Sequence, residues 1–336
     1  MTTVKHYLVI RNWLTTLLSR EITYSSLPAQ NLYFLSFMKI QCPTCKAHFR
    51  RSDYNSRPVV KFGSFYRSSD RKQVQRYFCK LCKLHFSVAT LFNCYRQKKR
   101  HFNQRVARQL VAGTSMRETA RIWKLNRKTV TRKMLHMGER AQIRLEVLNK
   151  KRHKSIIVEF DDLETFEHTK CKPVAVSLAV EYRSRWILGF QVAQMPAKGL
   201  LVAKSLKIYG KRKDERPLAR AKLFTRIQNC IRSDALIKSD ENPHYLADIK
   251  RFFPDAKHYT YKGRKSSLGG QGELKKVGFD PIFSLNHTCA VLRYRTCRLI
   301  RKTWNTTKKK ERLSFHLALI ALHHNLNLKN HRVSTA

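Results

Sequence analysis

Ser155-Ile-Ile-Val-Glu-Phe-Asp-Asp162 is the stretch on which the reading of this chain turns. It is β-branched and apolar through Phe160, as a buried strand is, and it ends in carboxylates. Glu159, Asp161, Asp162, Glu164 and Glu167 crowd this one short segment, although the chain has only 22 Asp and Glu against 69 Lys and Arg. A basic protein that gathers carboxylates at a strand end has a use for negative charge there. A hard divalent cation with oxygen ligands is the simplest use. A solvated acidic turn is the competing reading of this stretch alone.

The totals narrow the choice. Over 336 residues the formal charge is +47, which implies a polyanionic partner. No run approaches the roughly 18 uncharged apolar residues of a membrane span, so nucleic acid is expected and a membrane is not. Hydrophobic residues make up 42% of the chain, enough to fill the cores of two or three domains. Four of the nine cysteines form two Cys-x-x-Cys pairs, and no cleavable signal pattern precedes them. That favours a reducing compartment and a metal over disulfides. The expected location is the cytoplasm, on DNA.

Residues 1–37 read as an N-terminal extension of uncertain role. Tyr7–Ile10 and Trp13–Leu18 are apolar but Arg11 and Arg20 interrupt them, and Met38 is a candidate start four residues before the first cysteine. Residues 38–95 carry Cys42-Pro-Thr-Cys45 and Cys79-Lys-Leu-Cys82. Two such pairs complete a tetrahedral, structural Zn²⁺ site, and their wide separation suits a zinc ribbon with strands between two knuckles. Unpaired structural thiols are the alternative. Gln75–Cys79 reads as the strand entering the second knuckle, and the surrounding Arg and Lys suit phosphate contact. Cys94, Cys171, Cys230, Cys289 and Cys297 read as ordinary buried residues.

Residues 96–150 change to a helical period. Val106, Leu110 and Val111 form one apolar face ended by Gly113, and Met116, Ala120 and Trp123 form a second. Asn126 is a good N-cap for a third helix with Val130, Met134 and Leu135 inward. This predicts a helix-turn-helix whose third helix offers Arg127, Lys128, Thr131 and Arg132 to the major groove of double-stranded DNA. A small helical bundle with a solvated basic face is the alternative. Lys150–Lys154 reads as a linker or a phosphate contact.

Residues 151–330 predict a mixed α/β domain. Strands are expected over Pro173–Tyr182 and Trp186–Ala193, joined by a hairpin at Arg183-Ser-Arg185. A basic helical region covers 199–233, then Ala235–Asp240 forms a second apolar run ending in a carboxylate, followed by a helix from Pro243 to Phe252. Residues 262–272 read as a basic, glycine-rich loop. A long basic helix is expected from Leu285 to Thr303, and an amphipathic one from Glu311 to Leu328. Three antiparallel strands, a helix, a parallel strand and more helices is the order of a ribonuclease-H-like fold, in which Asp161 and Asp240 converge.

This ordered set resembles bacterial insertion-sequence transposases of the Asp-Asp-Glu type, and most closely the insertion-sequence-one family. The matching motifs are the Cys pairs with Gln75-Arg-Tyr-x-Cys79, Glu159-Phe-Asp-Asp162, Lys238-Ser-Asp-Glu241 with Tyr245, and Arg298-Leu-Ile-Arg-Lys-Thr303. The resemblance implies a multidomain protein: zinc ribbon, helix-turn-helix, then a ribonuclease-H-like catalytic domain. It implies a transposase that binds the ends of an insertion sequence and performs metal-dependent strand cleavage and transfer, as a homo-oligomer pairing two ends. Where the family has its third carboxylate this chain has Asn286, followed by His287. Asn286 or His287 acts as ligand in its place, or Glu273 swings in, or the copy is an inactive DNA-binding regulator.

The implied chemistry is in-line displacement at phosphorus, served by two Mg²⁺ or Mn²⁺ ions about 4 Å apart. Asp161 and Asp240 are the principal ligands, with Asn286 and His287 as third candidates. Asp162 and Glu241 rank behind them because the pleat points neighbours apart. Arg293, Arg298, Arg301 and Lys302 are expected to line one groove for the DNA backbone, a solvated basic helix face being the alternative. His316, His323 and His324 suit packing or capping.

Overall fold

The computed structural model describes residues 40–48, 58–68, 71–92, 94–262, 280–300 and 305–334, with side chains through residue 330. The expected extension over 1–37, the glycine-rich loop with Glu273, and Arg301 and Lys302 lie outside the described residues. The chain divides into two compact units, residues 1–105 and 106–336.

In the first unit, β1 (Val59–Arg67), β2 (Lys72–Cys79) and β3 (His85–Ser87) form an antiparallel sheet in that order. Each Cys pair sits on a tight turn. The Cys42 N–H donates to Ala47 O at 2.8 Å and the Cys79 N–H to Leu84 O at 3.0 Å. Both turns close through a lysine with positive φ, Lys46 and Lys83, at the same offset from the first cysteine. The apolar core here is slight: Ile40, Val59, Tyr77 and Phe86 around Cys42 and Cys79.

Three helices follow as the sequence predicts: α1 (Asn103–Val111), α2 (Met116–Ile122) and α3 (Arg127–Lys150). Gly113, at φ +88°, makes the turn after α1. The Ser115 hydroxyl accepts the Glu118 N–H at 3.1 Å and Asn126 Oδ1 accepts the Lys128 N–H at 2.8 Å, capping α2 and α3. The third helix runs to Lys150, and residues 151–154 make a short connection to the strand that follows. Arg152 within it pairs with Glu181 at 2.8 Å and lies over the Trp186 ring at 4.3 Å. The structure therefore groups these helices with the sheet that follows instead of separating them at residue 150.

That sheet has five strands: β4 (Ser155–Phe166), β5 (Pro173–Glu181), β6 (Ile187–Gln194), β7 (Ile231–Asp240) and β8 (Lys257–Tyr261). Their order is β6-β5-β4-β7-β8. The first three pair antiparallel, while β7 pairs parallel to β4 and β8 parallel to β7. The β5–β6 hairpin turns through Arg183 and Arg185, both at positive φ. The crossover from β6 to β7 carries α4 (Val202–Tyr209) and α5 (Arg216–Ile227), and α6 (Pro243–Phe252) links β7 to β8. Phe224, Ile227, Tyr245 and Ile249 from α5 and α6 cover Val158, Phe160 and Ile237 of the sheet. Two further helices, α7 (Phe283–Arg295) and α8 (Lys310–Ser334), complete the unit.

Three boundaries correct the sequence reading. The strand expected to end in carboxylates at Asp162 runs on to Phe166, paired with β5 throughout. Ile231–Ser233 belong to β7, not to the preceding helical region. The long helix expected to reach Thr303 stops at Arg295, because Thr296 is extended (φ −114°, ψ 97°) and Cys297 and Leu299 turn inward to bury.

Candidate metal centres and strand-end carboxylates

Cys42, Cys45, Cys79 and Cys82 bring their sulfur atoms within 4.8 Å of one another. Cys42 and Cys82 Sγ are 3.5 Å apart, Cys45 and Cys79 Sγ 3.4 Å. A tetrahedron with Zn–S bonds of about 2.3 Å has edges of about 3.8 Å, so this cluster fits zinc after a slight expansion. Burial raises the Cys42 thiol pKa, but the backbone N–H groups of Cys45 and Thr44 outweigh it and hold the pKa below its ordinary value. Those donors favour the thiolate a metal needs. His48 faces Gln41 at 3.3 Å and His85 stacks on Phe62 and Phe78.

The second site grows out of the parallel pairing of β4 and β7. Val158 pairs with Ile237 and Glu159 with Lys238; two residues on, that register sets Asp161 beside Asp240. Burial first, and the Asp240 charge second, push the Asp161 carboxyl up to about 7. Burial, and then Glu241, raise Asp240 as well. Ionised together without a counter-charge, the two repel. The Tyr245 hydroxyl, from a wholly buried ring on α6 stacked edge-on against Phe160, donates to Asp161 Oδ1 at 3.2 Å. A concave surface of about 460 Å³ lined by Arg216, Asp240, Glu241 and Asn242 opens at the strand end.

The pleat turns Asp162 away, as expected. It accepts from the Ser177 hydroxyl at 2.5 Å and lies 3.7 Å from the Arg220 guanidinium, which also binds Asp248 at 2.5 Å. Glu159, on the Asp161 face, is 0% exposed and accepts the Leu285 N–H at 2.6 Å. Burial raises its carboxyl to about 7, opposed by Lys238. Glu159 thus ties β4 to the first turn of α7. Neither Arg220–Asp248 nor the Glu159 tie was found from sequence; both are contacts between residues far apart in the chain, with no local pattern to betray them.

The third-ligand candidates have other partners. Asn286 Nδ2 donates to Asp280 Oδ2 at 2.7 Å. The His287 ring lies 3.2 Å from Arg185, and burial followed by that charge lowers its pKa. On α7 the group that senses Asp161 is Cys289, whose thiol burial and the Asp161 charge push up to about 12. Among the described residues, no third Asp, Glu, His or Cys joins Asp161 and Asp240 closely enough to share one ion. The two aspartates fit a divalent cation in donor type and charge, as a partial ligand set.

Arg127, Lys128 and Arg132 are exposed along the start of α3, while Thr131 donates its hydroxyl to Arg127 O at 3.0 Å. Of the expected groove, Arg293 and Arg298 do not share one helix face, and Arg301 and Lys302 lie outside the described residues. Arg293 lies on α7, but Arg298 lies beyond its end, 7% exposed, with Nη2 against Met116 Sδ at 3.5 Å. Burial lowers its pKa. The helix stop at Arg295 breaks the spacing on which that groove depended. His316 is buried on α8; His324 approaches Arg185 O at 2.9 Å and His323 approaches Asn327 Nδ2 at 3.1 Å. Among the described residues, no helix is long and apolar enough to cross a membrane.

No protein-family model matches this sequence, and no curated protein matches it. Among solved structures, the crystal structure of the Mos1 strand transfer complex overlaps 69% of this chain and 79% of its own, at 10% identity and a TM-score of 0.22. An overlap that slight carries no argument about fold or function.

Proposed function

We propose that this chain is a divalent-metal-dependent DNA transposase of the Asp-Asp-Glu type, with a zinc ribbon, a helix-turn-helix and a ribonuclease-H-like catalytic domain. One observation carries the reading: just past the last parallel pair of β4 and β7, Glu159 with Lys238, Asp161 within β4 lies beside Asp240, the last residue of β7, at the centre of a β6-β5-β4-β7-β8 sheet. Two aspartates whose ionisation is opposed by burial, with the Asp240 charge also acting on Asp161 and the Glu241 charge on Asp240, are poised to take up a cation. Bound there, Mg²⁺ or Mn²⁺ supplies Lewis-acid activation of a phosphodiester. Tyr245 fixes the Asp161 carboxylate, Arg220 holds Asp162 out of the way, and Glu159 fastens α7 beside β4.

The basic start of α3, with Arg127, Lys128, Thr131 and Arg132, reads the duplex at the ends of an insertion sequence, and the +47 charge serves phosphate contact throughout. Pairing two ends requires a homo-oligomer, and the work is done on DNA in the cytoplasm. The decisive experiment is strand cleavage and joining on the element's own end DNA with Mg²⁺, Mn²⁺ or chelator. Wild type is expected to cut and join with metal; Asp161→Ala and Asp240→Ala are expected to bind ends and not cut. Cleavage retained in both variants overturns the site.

A second reading has its own support. The Asn286–Asp280 hydrogen bond leaves the third-ligand position engaged elsewhere, which suits a DNA-binding regulator derived from a transposase. Specific end binding by wild type with no cutting under any metal, and none in Asn286→Glu, selects the regulator.

A further inference from the structure

The β1–β2–β3 sheet has a second face that zinc does not use. A bulge in β1 between Lys61 and Ser64, with Gly63 at φ +63°, re-registers the strand. Before it, Phe62 packs against His85 at 4.6 Å and Phe78 at 6.1 Å, under the Arg76 guanidinium at 5.6 Å. After it, Phe65 pairs with Val74 and so shares the face of Arg76 and Phe78. The chain that follows β3 rises along this face and carries Tyr95, with the Arg96 guanidinium over its ring at 5.5 Å. Between them lies a cleft of about 430 Å³ lined by Phe65, His85, Tyr95, Arg67, Arg76 and Arg96 among others. That volume falls within the roughly 300–1,000 Å³ of small-ligand sites.

The lining says what fits. Two rings, Phe65 at 39% and Tyr95 at 46% exposure, stay open to solvent where a protein otherwise hides them. Several arginines share the wall, and among the described residues no carboxylate lines it. Aromatic faces interleaved with guanidinium groups match an unstacked base and its flanking phosphates. They do not match a duplex, whose bases present edges instead of faces.

We propose that this cleft binds an unpaired nucleotide of single-stranded DNA, with the base stacked on Phe65 and Tyr95 and the phosphates against Arg67, Arg76 and Arg96. The duplex is left to α3. The site is independent of the catalytic reading, so it is tested in the zinc-loaded, full-length Asp161→Ala protein, which cannot consume the DNA. The probes are fluorescent single-stranded DNA, the same sequence as duplex, and the same sequence as RNA, followed by anisotropy. Phe65→Ala with Tyr95→Ala is expected to weaken single-stranded DNA about tenfold or more, with duplex affinity changed less than twofold and zinc content unaltered. A single 2-aminopurine in the single strand is expected to be quenched on binding to the otherwise unsubstituted protein, a readout free of any folding defect in the variant. No quenching, no loss for single-stranded DNA, equal loss for duplex, or loss confined to RNA would each overturn the assignment.

Discussion

Asp161 and His316 are both buried titratable groups, and they load the fold at opposite ends of the pH scale. Asp161 has an ordinary value of 3.8 and about 7 in the fold. The folded state therefore holds this proton more tightly, so stability is greatest below about pH 4 and falls until pH passes about 7, at up to about 1.4 kcal/mol per pH unit. Asp161→Asn in metal-free protein is expected to raise Tm at pH 8, to leave it unchanged below pH 4, and to abolish stabilisation by Mg²⁺. A Tm that rises in wild type from pH 4 to 8 while Asp161→Asn stays flat would contradict this. His316 lies the other way. Burial, then Arg298, lower it from 6.5 to about 3, against an opposing backbone contact from Leu110. Its contribution is intact above pH 6.5 and is lost as pH falls through about 3. His316→Leu is expected to flatten the acid side of the stability profile, read by denaturant midpoints between pH 3 and 7. At this scale Asp161 and Asp240 were legible because each ends a run of strand formers, a local pattern. The ties around them, Tyr245–Asp161 included, were not, because Tyr245, Arg220 and Asp248 announce no contact until α5 and α6 pack on the sheet.

The helices hold one another by close approach. A Cβ on Gly138 of α3 would lie 2.6 Å from Phe315 Cβ and would also strike the Phe315 carbonyl oxygen of α8. The two helices meet backbone to backbone there, with Gln142 Nε2 donating to Ser314 Oγ at 3.0 Å one turn on. Gly138→Ala gains helix propensity but forces α3 and α8 apart, and a net loss of about 1–3 kcal/mol is expected in urea unfolding. An unchanged midpoint would mean the helices can separate at no cost. Asn126→Ala, by contrast, removes one cap and is expected to cost about 1 kcal/mol. One cap could be read in advance, Asn126 at the start of α3; Ser115 and Asn242 cap α2 and α6 in the same way. The end of α7 could not be read in advance. The basic residues after Arg295 continue a helical rhythm in sequence, and only the inward turn of Cys297 and Leu299 ends α7.

Across the whole molecule, the two units rest on different physics. The first has a small apolar core and four clustered thiols. Few apolar side chains cannot offset the entropy of ordering this segment, so metal binding becomes folding energy. Chelation is expected to release the amides of β1–β3 to hydrogen exchange while those of β4–β8 stay protected; protection that survives in β1–β3 would show a core sufficient by itself. The second unit is built on a five-stranded sheet with helices packed on it, and needs no such support. The sequence by itself determined the Cys pairs, the helix starts, and the apolar runs with the aspartates that follow them, because each is set by near neighbours in the chain. Only the tertiary structure decided that β4 runs on past Asp161 to Phe166, that Asn286 turns to Asp280, that Arg298 is buried, and that an aromatic and basic cleft opens beside the zinc knuckles. Those outcomes depend on which distant surfaces bury each other, and no local spacing encodes that choice.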